Sequence, residues 1–330
     1  MPHRHPPLNL FRIAAPLCLC LALATGGCEH SEGMVQAGGE AAPAPQPAFQ
    51  PAFQRVGKLQ AGRLDEASGI QAGRGGVFYL HNDEGSRLFV ADAKGRHLGA
   101  IDIAANNRDW EDLTRVPGPD GSLLVIGDIG DNSGVRKRVS LYFLTEPVAT
   151  VGEGDNEPIT GFTATLRHRV RVTYPDGPRD AESLAYDAAG GMLLILTKRD
   201  RPPRLYGVPL DLALLKKNLQ ADFLAEVPGF RPPTRQDILK NFGRGLWVSQ
   251  PTGMDISPDG RQAAVITYRS LYLFERAEHE RWPEAFQRAP LEIVGPPGTH
   301  DEAVGFSLDG RSVYVAAEGA HSPLYRLDLP

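Results

Sequence analysis

From about residue 55 onward, short apolar runs alternate with polar turns. Val77-Phe78-Tyr79-Leu80, Leu123-Leu124-Val125-Ile126, Met192-Leu193-Leu194-Ile195-Leu196, Ala264-Val265-Ile266 and Val313-Tyr314-Val315-Ala316 each have the length of one strand, with Gly, Pro, Asp or Asn nearby. Such runs read as buried β-strands at regular spacing. Helical periodicity is weak and is confined to 210–219 and 235–242, both inside one long connection.

The strands recur in a fixed order. Asp255-Ile256-Ser257-Pro258-Asp259-Gly260-Arg261 precedes strands at Ala264 and Leu271. Val304-Gly305-Phe306-Ser307-Leu308-Asp309-Gly310-Arg311 precedes strands at Val313 and Leu324, with the same Asp-Gly-Arg turn. Looser copies start at Ile70, Leu113 and Leu184. With Ile256 and Val304 this makes units spaced by 43, 71, 72 and 48 residues. A repeated unit of about four short strands and 40–50 residues is the signature of a β-propeller blade. The chain therefore reads as all-β, a single propeller of five blades, with six as the alternative if a degenerate blade lies in a long interval. The long intervals carry insertions at 149–161 and 209–250, and 55–59 is positioned to pair with the last blade and close the ring. Closure removes exposed sheet edges.

The residues before the propeller have a different texture. His3, Arg4, His5 and Arg12 give a basic start, and 13–25 is apolar but too short for a permanent membrane span. Ala24-Thr25-Gly26-Gly27-Cys28 resembles a lipobox, although Thr25 stands where an aliphatic residue is usual. The expected organisation is a lipoprotein signal peptide over 1–27, a flexible Pro/Ala/Gly/Gln-rich tether over 28–54 and a β-propeller over 55–330. The alternative for the leader is an ordinary secretory signal with a chance cysteine. The tether holds the tandem Pro47-Ala48-Phe49-Gln50, Pro51-Ala52-Phe53-Gln54. Cys18 and Cys20 fall in the leader and Cys28 takes the lipid, so the folded part has no thiol for a disulfide or a metal. The protein is expected to be exported and lipid-anchored to the cell envelope. Glu29 is not the Asp that resembles an inner-membrane retention signal, which favours the outer membrane, periplasmic or surface side.

Charge narrows the function. The whole chain carries −5, and removing Arg4 and Arg12 with the leader takes it to −7. This argues against nucleic acid as a partner, since nucleic acid selects a basic footprint. The expected partners are the membrane, through the anchor, and a protein, glycan or small-molecule ligand. A monomer is expected.

The Ser257-Pro258-Asp259-Gly260 turn resembles the WD40-like repeats of TolB-type periplasmic propellers. Glu66-Ala67-Ser68-Gly69-Ile70, Asp109-Trp110-Glu111-Asp112-Leu113, Gly127-Asp128-Ile129-Gly130-Asp131-Asn132 and Asp180-Ala181-Glu182-Ser183-Leu184 resemble exported bacterial propellers near the esterase-like phytase and SdiA-regulated families. The resemblance spans about 56–330. It implies the fold and carries no defined activity.

Propeller topology turns this pattern into a site. The start of each first strand and the end of each second strand lie at the same mouth of the channel. That places Glu66, Glu111, Asp112, Glu182, Asp255 and Glu302 together, with Lys198 and Arg269 as counter-charges. Carboxylates crowded at one mouth need cations, basic partners or raised pKa values, and the structural alternative is that these acids pair with Lys198, Arg199 and Arg269 or cap backbone amides at the strand entry. Asp83, Asp128, Asp131 and Asn132 add oxygen ligands suited to a hard cation such as Ca²⁺. The loop 127–132 lacks the EF-hand length and terminal Glu, and a plain turn explains its glycines as well. No Gly-x-Ser-x-Gly elbow, P-loop or zincin motif is present. His81, His300 and His321 remain candidate bases or ligands. Trp110 suits packing between blades or the floor of a ligand pocket. Two functions stay open: a binding module acting through the acidic mouth, and a Ca²⁺-dependent hydrolase of phosphoesters, esters or lactones, to which the likeness to phytase and gluconolactonase-type propellers points.

Overall fold

The computed structural model describes residues 51–151, 159–240, 245–296 and 301–330. The leader, Cys28, nearly all of the tether, and His300 lie outside the described residues. The chain divides after Ala48, and the second unit, Phe49–Pro330, holds the propeller.

The described residues build a five-bladed β-propeller. Blade 1 is Ala67–Gly73, Val77–Asn82, Arg87–Asp92 and His97–Asp102. Blade 2 is Trp110–Gly118, Gly121–Asp128, Val139–Thr145 and Leu166–Thr173. Blade 3 is Ala181–Asp187, Met192–Thr197, Arg204–Pro209 and Asp222–Glu226. Blade 4 is Pro251–Ile256, Gln262–Thr267, Ser270–Glu275 and Leu291–Val294. Blade 5 is Asp301–Phe306, Ser312–Ala317 and Pro323–Asp328, completed by Gln54–Lys58 from the other end of the chain. That strand pairs antiparallel, Gln54 opposite Arg326 and Lys58 opposite Pro323. The expected closure is present. Phe53, from the tether repeat, packs against the apolar cluster shared by blades 4 and 5.

Each inner strand packs on the next, and blade 5 packs back on blade 1. Glycines allow the approach. A Cβ on Gly305 would lie 2.5 Å from the Ile70 carbonyl across the blade 5–blade 1 seam, and one on Gly253 would lie 2.7 Å from the Glu302 carbonyl. Between the blades, alternate strand residues form dry clusters. Trp110 sits fully buried between blades 1 and 2 with Tyr79, Leu124 and Tyr142. It is core packing, and its ring N–H donates to the Asn106 carbonyl at 3.3 Å.

The Asp-Gly-Arg turns have a common mechanism. In blade 4 the Ser257 hydroxyl donates to Asp259 and accepts the Gln262 amide. In blade 5 Ser307, Asp309 and Ser312 repeat this. Gly260 and Gly310 both hold φ +70°, the left-handed region that glycine enters without strain.

Two details differ from the sequence reading. The unit in blade 4 aligns at Met254, not Ile256: Met254 opposes Val265 as Ile70 opposes Leu80 and Val304 opposes Val315. A two-residue shift keeps every side chain on its own face, so strand periodicity is blind to it. The helix expected over 210–219 stops at Leu215, and Asn218–Gln220 instead joins the edge of blade 2 in parallel, strapping blades 2 and 3 together. Edge pairing outweighs local helix propensity here. The second helix spans Arg235–Lys240, and the rest of the 235–242 expectation lies outside the described residues. The insertion near 149–161 begins and ends as the hairpin Val148–Val151 and Ile159–Thr163; 152–158 lie outside the described residues. No helix among the described residues is long and apolar enough to cross a membrane.

Candidate functional site

Every inner strand carries a β-bulge two residues in. The register slips at Ser68, Glu111, Glu182, Thr252 and Glu302. A bulge leaves one residue unpaired and re-aims its side chain. At the same repeat position, then, stand Ser68, three glutamates and Thr252. One residue beyond the end of each second strand's pairing stand Asp83, Ile129, Lys198, Tyr268 and Glu318. These two rings of positions build the mouth.

Three of the glutamates share one lysine. The Lys198 ammonium is bonded to Glu182 Oε1 and donates to the Tyr268 hydroxyl at 3.0 Å. Tyr268 in turn donates to Glu302 Oε1 at 2.7 Å. Glu111, only 6% exposed, accepts no hydrogen bond among the described residues. A Cβ on Gly130 would collide with both the Glu111 and Asp109 carboxylates, so these two acids face each other across a glycine.

The electrostatics follow from burial. Glu302 is pushed up to about 8 by loss of water, then by Glu182 and Glu318. Glu182 is pushed up to about 7 by burial, with Lys198 pulling the other way. Glu111 lies well above the carboxylate range through burial, then Glu182 and Asp109. Burial opposes the charge on Lys198, but Glu182 and Tyr268 more than offset it and raise its pKa. The mouth therefore holds the charged Lys198, two acids, Glu182 and Glu302, that exchange protons near neutrality, and Glu111, whose pKa burial and neighbouring acids hold well above the carboxylate range.

The other acids expected at the mouth have separate roles. Asp112 is fully buried and lies deeper. Its carboxylate accepts the amide of Leu113 at 2.8 Å, of Leu184 at 2.8 Å and of Met254 at 3.1 Å. One side chain thus ties the inner strands of blades 2, 3 and 4. Asp255 does the same between blades 4 and 5, accepting Ile256 and Phe306 amides at 2.9 and 2.8 Å. Burial pushes Asp255 up to about 7 against these hydrogen bonds. Glu66 is exposed and pairs with Asp83, whose carboxyl is driven up to about 7 by burial and then by Glu66 itself. Arg269 points away from the mouth. It pairs with Asp237 at 3.0 Å and Glu292 at 3.6 Å, and donates to the Ser249 and Tyr272 hydroxyls. It braces Arg231, Pro232, Asp237 and Ser249.

The structure does not gather the expected cation ligands. Asp128 pairs with buried Arg136 at 2.6 Å, and Asp131 accepts the Val135 and Arg136 amides. Asn132 and Asp180 bind Arg199, and Asp83 stands with Glu66 on blade 1. The Arg136 guanidinium, which also donates to the Gly130 carbonyl, occupies the centre of the loop where a cation was expected. Among the described residues no group of three or more His, Asp or Glu side chains is arranged to hold a metal ion. His81 is fully buried, held neutral with its pKa pushed down to about 4 by burial, and lies edge-on to Trp110. His321 faces the Leu59 carbonyl at 3.2 Å beside the closing strand. Neither reaches the glutamates through a hydrogen bond.

Asp109 is a site residue that the charge pattern did not single out. Tyr268 occupies the same repeat position as Lys198, one residue before Arg269. The aligned second strands place it at the mouth, as the sequence pattern expects.

No protein-family model and no curated protein matches the chain. Among solved structures, a luciferin-regenerating enzyme aligns over 85% of this chain and 96% of its own, at 8% identity and a TM-score of 0.45. A PQQ-bound aldose sugar dehydrogenase from Streptomyces coelicolor aligns over 86% and 99%, at 11% identity and a TM-score of 0.43.

Proposed function

We propose that the chain is an envelope-tethered propeller lipoprotein whose mouth binds the cationic group of a ligand. The observation that carries this reading is the excess of acid: Glu111, Glu182 and Glu302 are served by one Lys198, and Glu111 is left without a hydrogen-bond partner among the described residues. An ammonium or guanidinium group entering the mouth supplies the missing donors and counter-charge. Charge-assisted hydrogen bonds to a desolvated carboxylate are the strong kind. The ligand's positive charge also drives protons off acids that burial holds partly protonated.

This gives a pH signature with a definite sign. The free mouth holds protons up to about pH 8, because Glu302 sits there. Bound cation lowers that value, so binding releases protons and strengthens as pH rises. Affinity for ethylammonium, a minimal probe, is expected to grow between pH 6 and 9, by up to about tenfold per unit for each proton released. A flat profile, measured by calorimetric titration, contradicts the reading.

The second reading, hydrolysis, draws on the same acids, since carboxyls titrating near 7–8 suit general acid–base work. It predicts turnover of an ester or lactone panel that Glu111→Gln abolishes. The binding reading predicts none. The anchor is a separate proposal resting on the leader and Cys28. In a fatty-acid labelling experiment Cys28→Ser is expected to lose the label and the membrane fraction; a labelled variant contradicts it.

A further inference from the structure

The connection from blade 3 to blade 4 carries an apolar surface. Leu239 is 81% exposed, Leu246 57%, Ile238 43% and Trp247 42%. Of the twelve large apolar side chains exposed among the described residues, these four fall within ten positions. They share one surface because Gly245 packs on the backbone of Ile238: a Cβ there would lie 2.4 Å from the Ile238 Cα. That approach sets Leu246 and Trp247 beside the helix Arg235–Lys240. Both parts are tied to the propeller. Arg269 of blade 4 holds Asp237 at 3.0 Å and Ser249 at 3.2 Å. Arg201 of blade 3 donates to the Leu246 carbonyl at 3.1 Å.

Exposed apolar side chains gathered in this way mark an interaction site. Their charged neighbours select the partner. Arg201 and Arg235 are exposed beside them. Residues 231–240 hold Arg231, Arg235 and Lys240 against Asp237, in a chain that carries −7 without its leader. Asp237 is paired with Arg269, and Arg231 with Glu292. The charge left beside the apolar residues is positive. Leucine, isoleucine and tryptophan flanked by arginine are the composition of segments that lie in a membrane interface. Tryptophan sits at the headgroup level there, and arginine meets lipid phosphate.

We propose that this surface docks the propeller on an anionic lipid bilayer, with Leu239, Leu246 and Trp247 in the boundary between headgroups and acyl chains and Arg201 and Arg235 on lipid phosphates. The inference goes beyond the cation reading of the mouth and does not depend on it. The proposed tether permits the contact. The chain enters the ring at Gln54, opposite Arg326, at the end of the outer strand remote from the mouth. Residues 28–54 extend up to about 90 Å. A domain of this size is about 50 Å across, so the mouth side can turn to the membrane that holds the anchor.

Vesicle sedimentation and tryptophan emission test the proposal. The protein is the chain from Glu29 to Pro330, without leader or lipid, which keeps Gln54–Lys58 and so the whole closed ring. The absence of Cys28 makes the result independent of the anchor. Trp110 and Trp282 are fully buried, so Trp247 alone of the three tryptophans reports the surface. Vesicles of phosphatidylcholine with phosphatidylglycerol are expected to bind the chain and shift its emission to the blue. Phosphatidylcholine alone is expected to bind at least about tenfold more weakly, each arginine contributing about fivefold. Arg235→Gln is expected to lose about fivefold on the anionic vesicles only. The double variant Leu239→Ser, Leu246→Ser is expected to lose at least about tenfold on both, with its melting temperature unchanged because both side chains are exposed. Trp247→Phe is expected to keep binding and lose the blue shift. No binding to anionic vesicles, or binding that the double variant retains, overturns the proposal. Equal binding to both vesicles overturns the role of the arginines. A dimer in the absence of vesicles that the double variant dissociates assigns the surface to a second copy and overturns the bilayer.

Discussion

Asp112→Ala is expected to lower the unfolding free energy by about 3–5 kcal/mol, the largest effect of any single substitution at the channel. The Asp112 carboxylate accepts three backbone amides drawn from three blades and is fully buried. Alanine orphans all three donors in a space that water reaches poorly, at about 1–3 kcal/mol for each unsatisfied group before relaxation. Urea denaturation at neutral pH measures the loss. A change below about 1 kcal/mol shows that the inner strands hold register without this tie. Glu111→Gln is the contrast. The amide is close in shape to the protonated acid that burial favours, and Glu111 accepts no hydrogen bond among the described residues, so stability is expected to change by less than about 1 kcal/mol. Two adjacent acids thus divide the work: Asp112 ties the inner strands together, and Glu111 is the acid assigned to the proposed cation site.

Lys198→Met is expected to destabilise the protein in a pH-dependent way. Removing one partner of a buried ion pair leaves the other uncompensated and costs about 3–5 kcal/mol when that partner must stay charged. Here Glu182 and Glu302 escape by taking protons. Their folded pKa values, about 7 and about 8, already lie above the unfolded range near 4. Raised acid pKa values stabilise the folded state most at low pH, and that contribution falls as pH climbs from about 4 through 8. Lys198 itself titrates far above this window, so its contribution is complete throughout it. Without Lys198 the glutamates move higher still. The expected cost is about 3 kcal/mol at pH 8.5 and under about 1 kcal/mol at pH 5. Denaturation at the two pH values checks it; an equal loss at both contradicts the coupling.

Much of the fold was legible because its signals are local. The Ser-x-Asp-Gly turns fix hairpins by side-chain hydrogen bonds within five residues, so Ser257 and Ser307 reveal themselves in sequence. The closing strand was legible because an unpaired edge must be covered. The two-residue error at Ile256 arose because alternation alone cannot fix register, and the turn at Ser257, counted back to Met254, resolves it. The mouth was legible as a charge pattern and illegible as a geometry. Glu111, Glu182, Glu302 and Lys198 do converge. Asp112 and Asp255 share their strands but lie deeper, on backbone amides, and no sequence feature separates the two roles. Arg269 and Tyr268 are neighbours that face apart, which only the aligned second strands decide. The oxygen-rich loop at 127–132 suggested a cation, and Arg136 supplies one from eight residues downstream of Asp128.

The claim that the acidic mouth takes up positive charge is tested most directly by counting protons. Ethylammonium is titrated at pH 7.5 in two buffers of different ionisation enthalpy, with the intact protein and with Glu111→Gln. Between about 0.5 and 1 proton is expected to leave per cation bound to the native protein, with a smaller release and weaker binding in the variant. Binding without proton release, release that Glu111→Gln leaves unchanged, or no binding at all contradicts the claim.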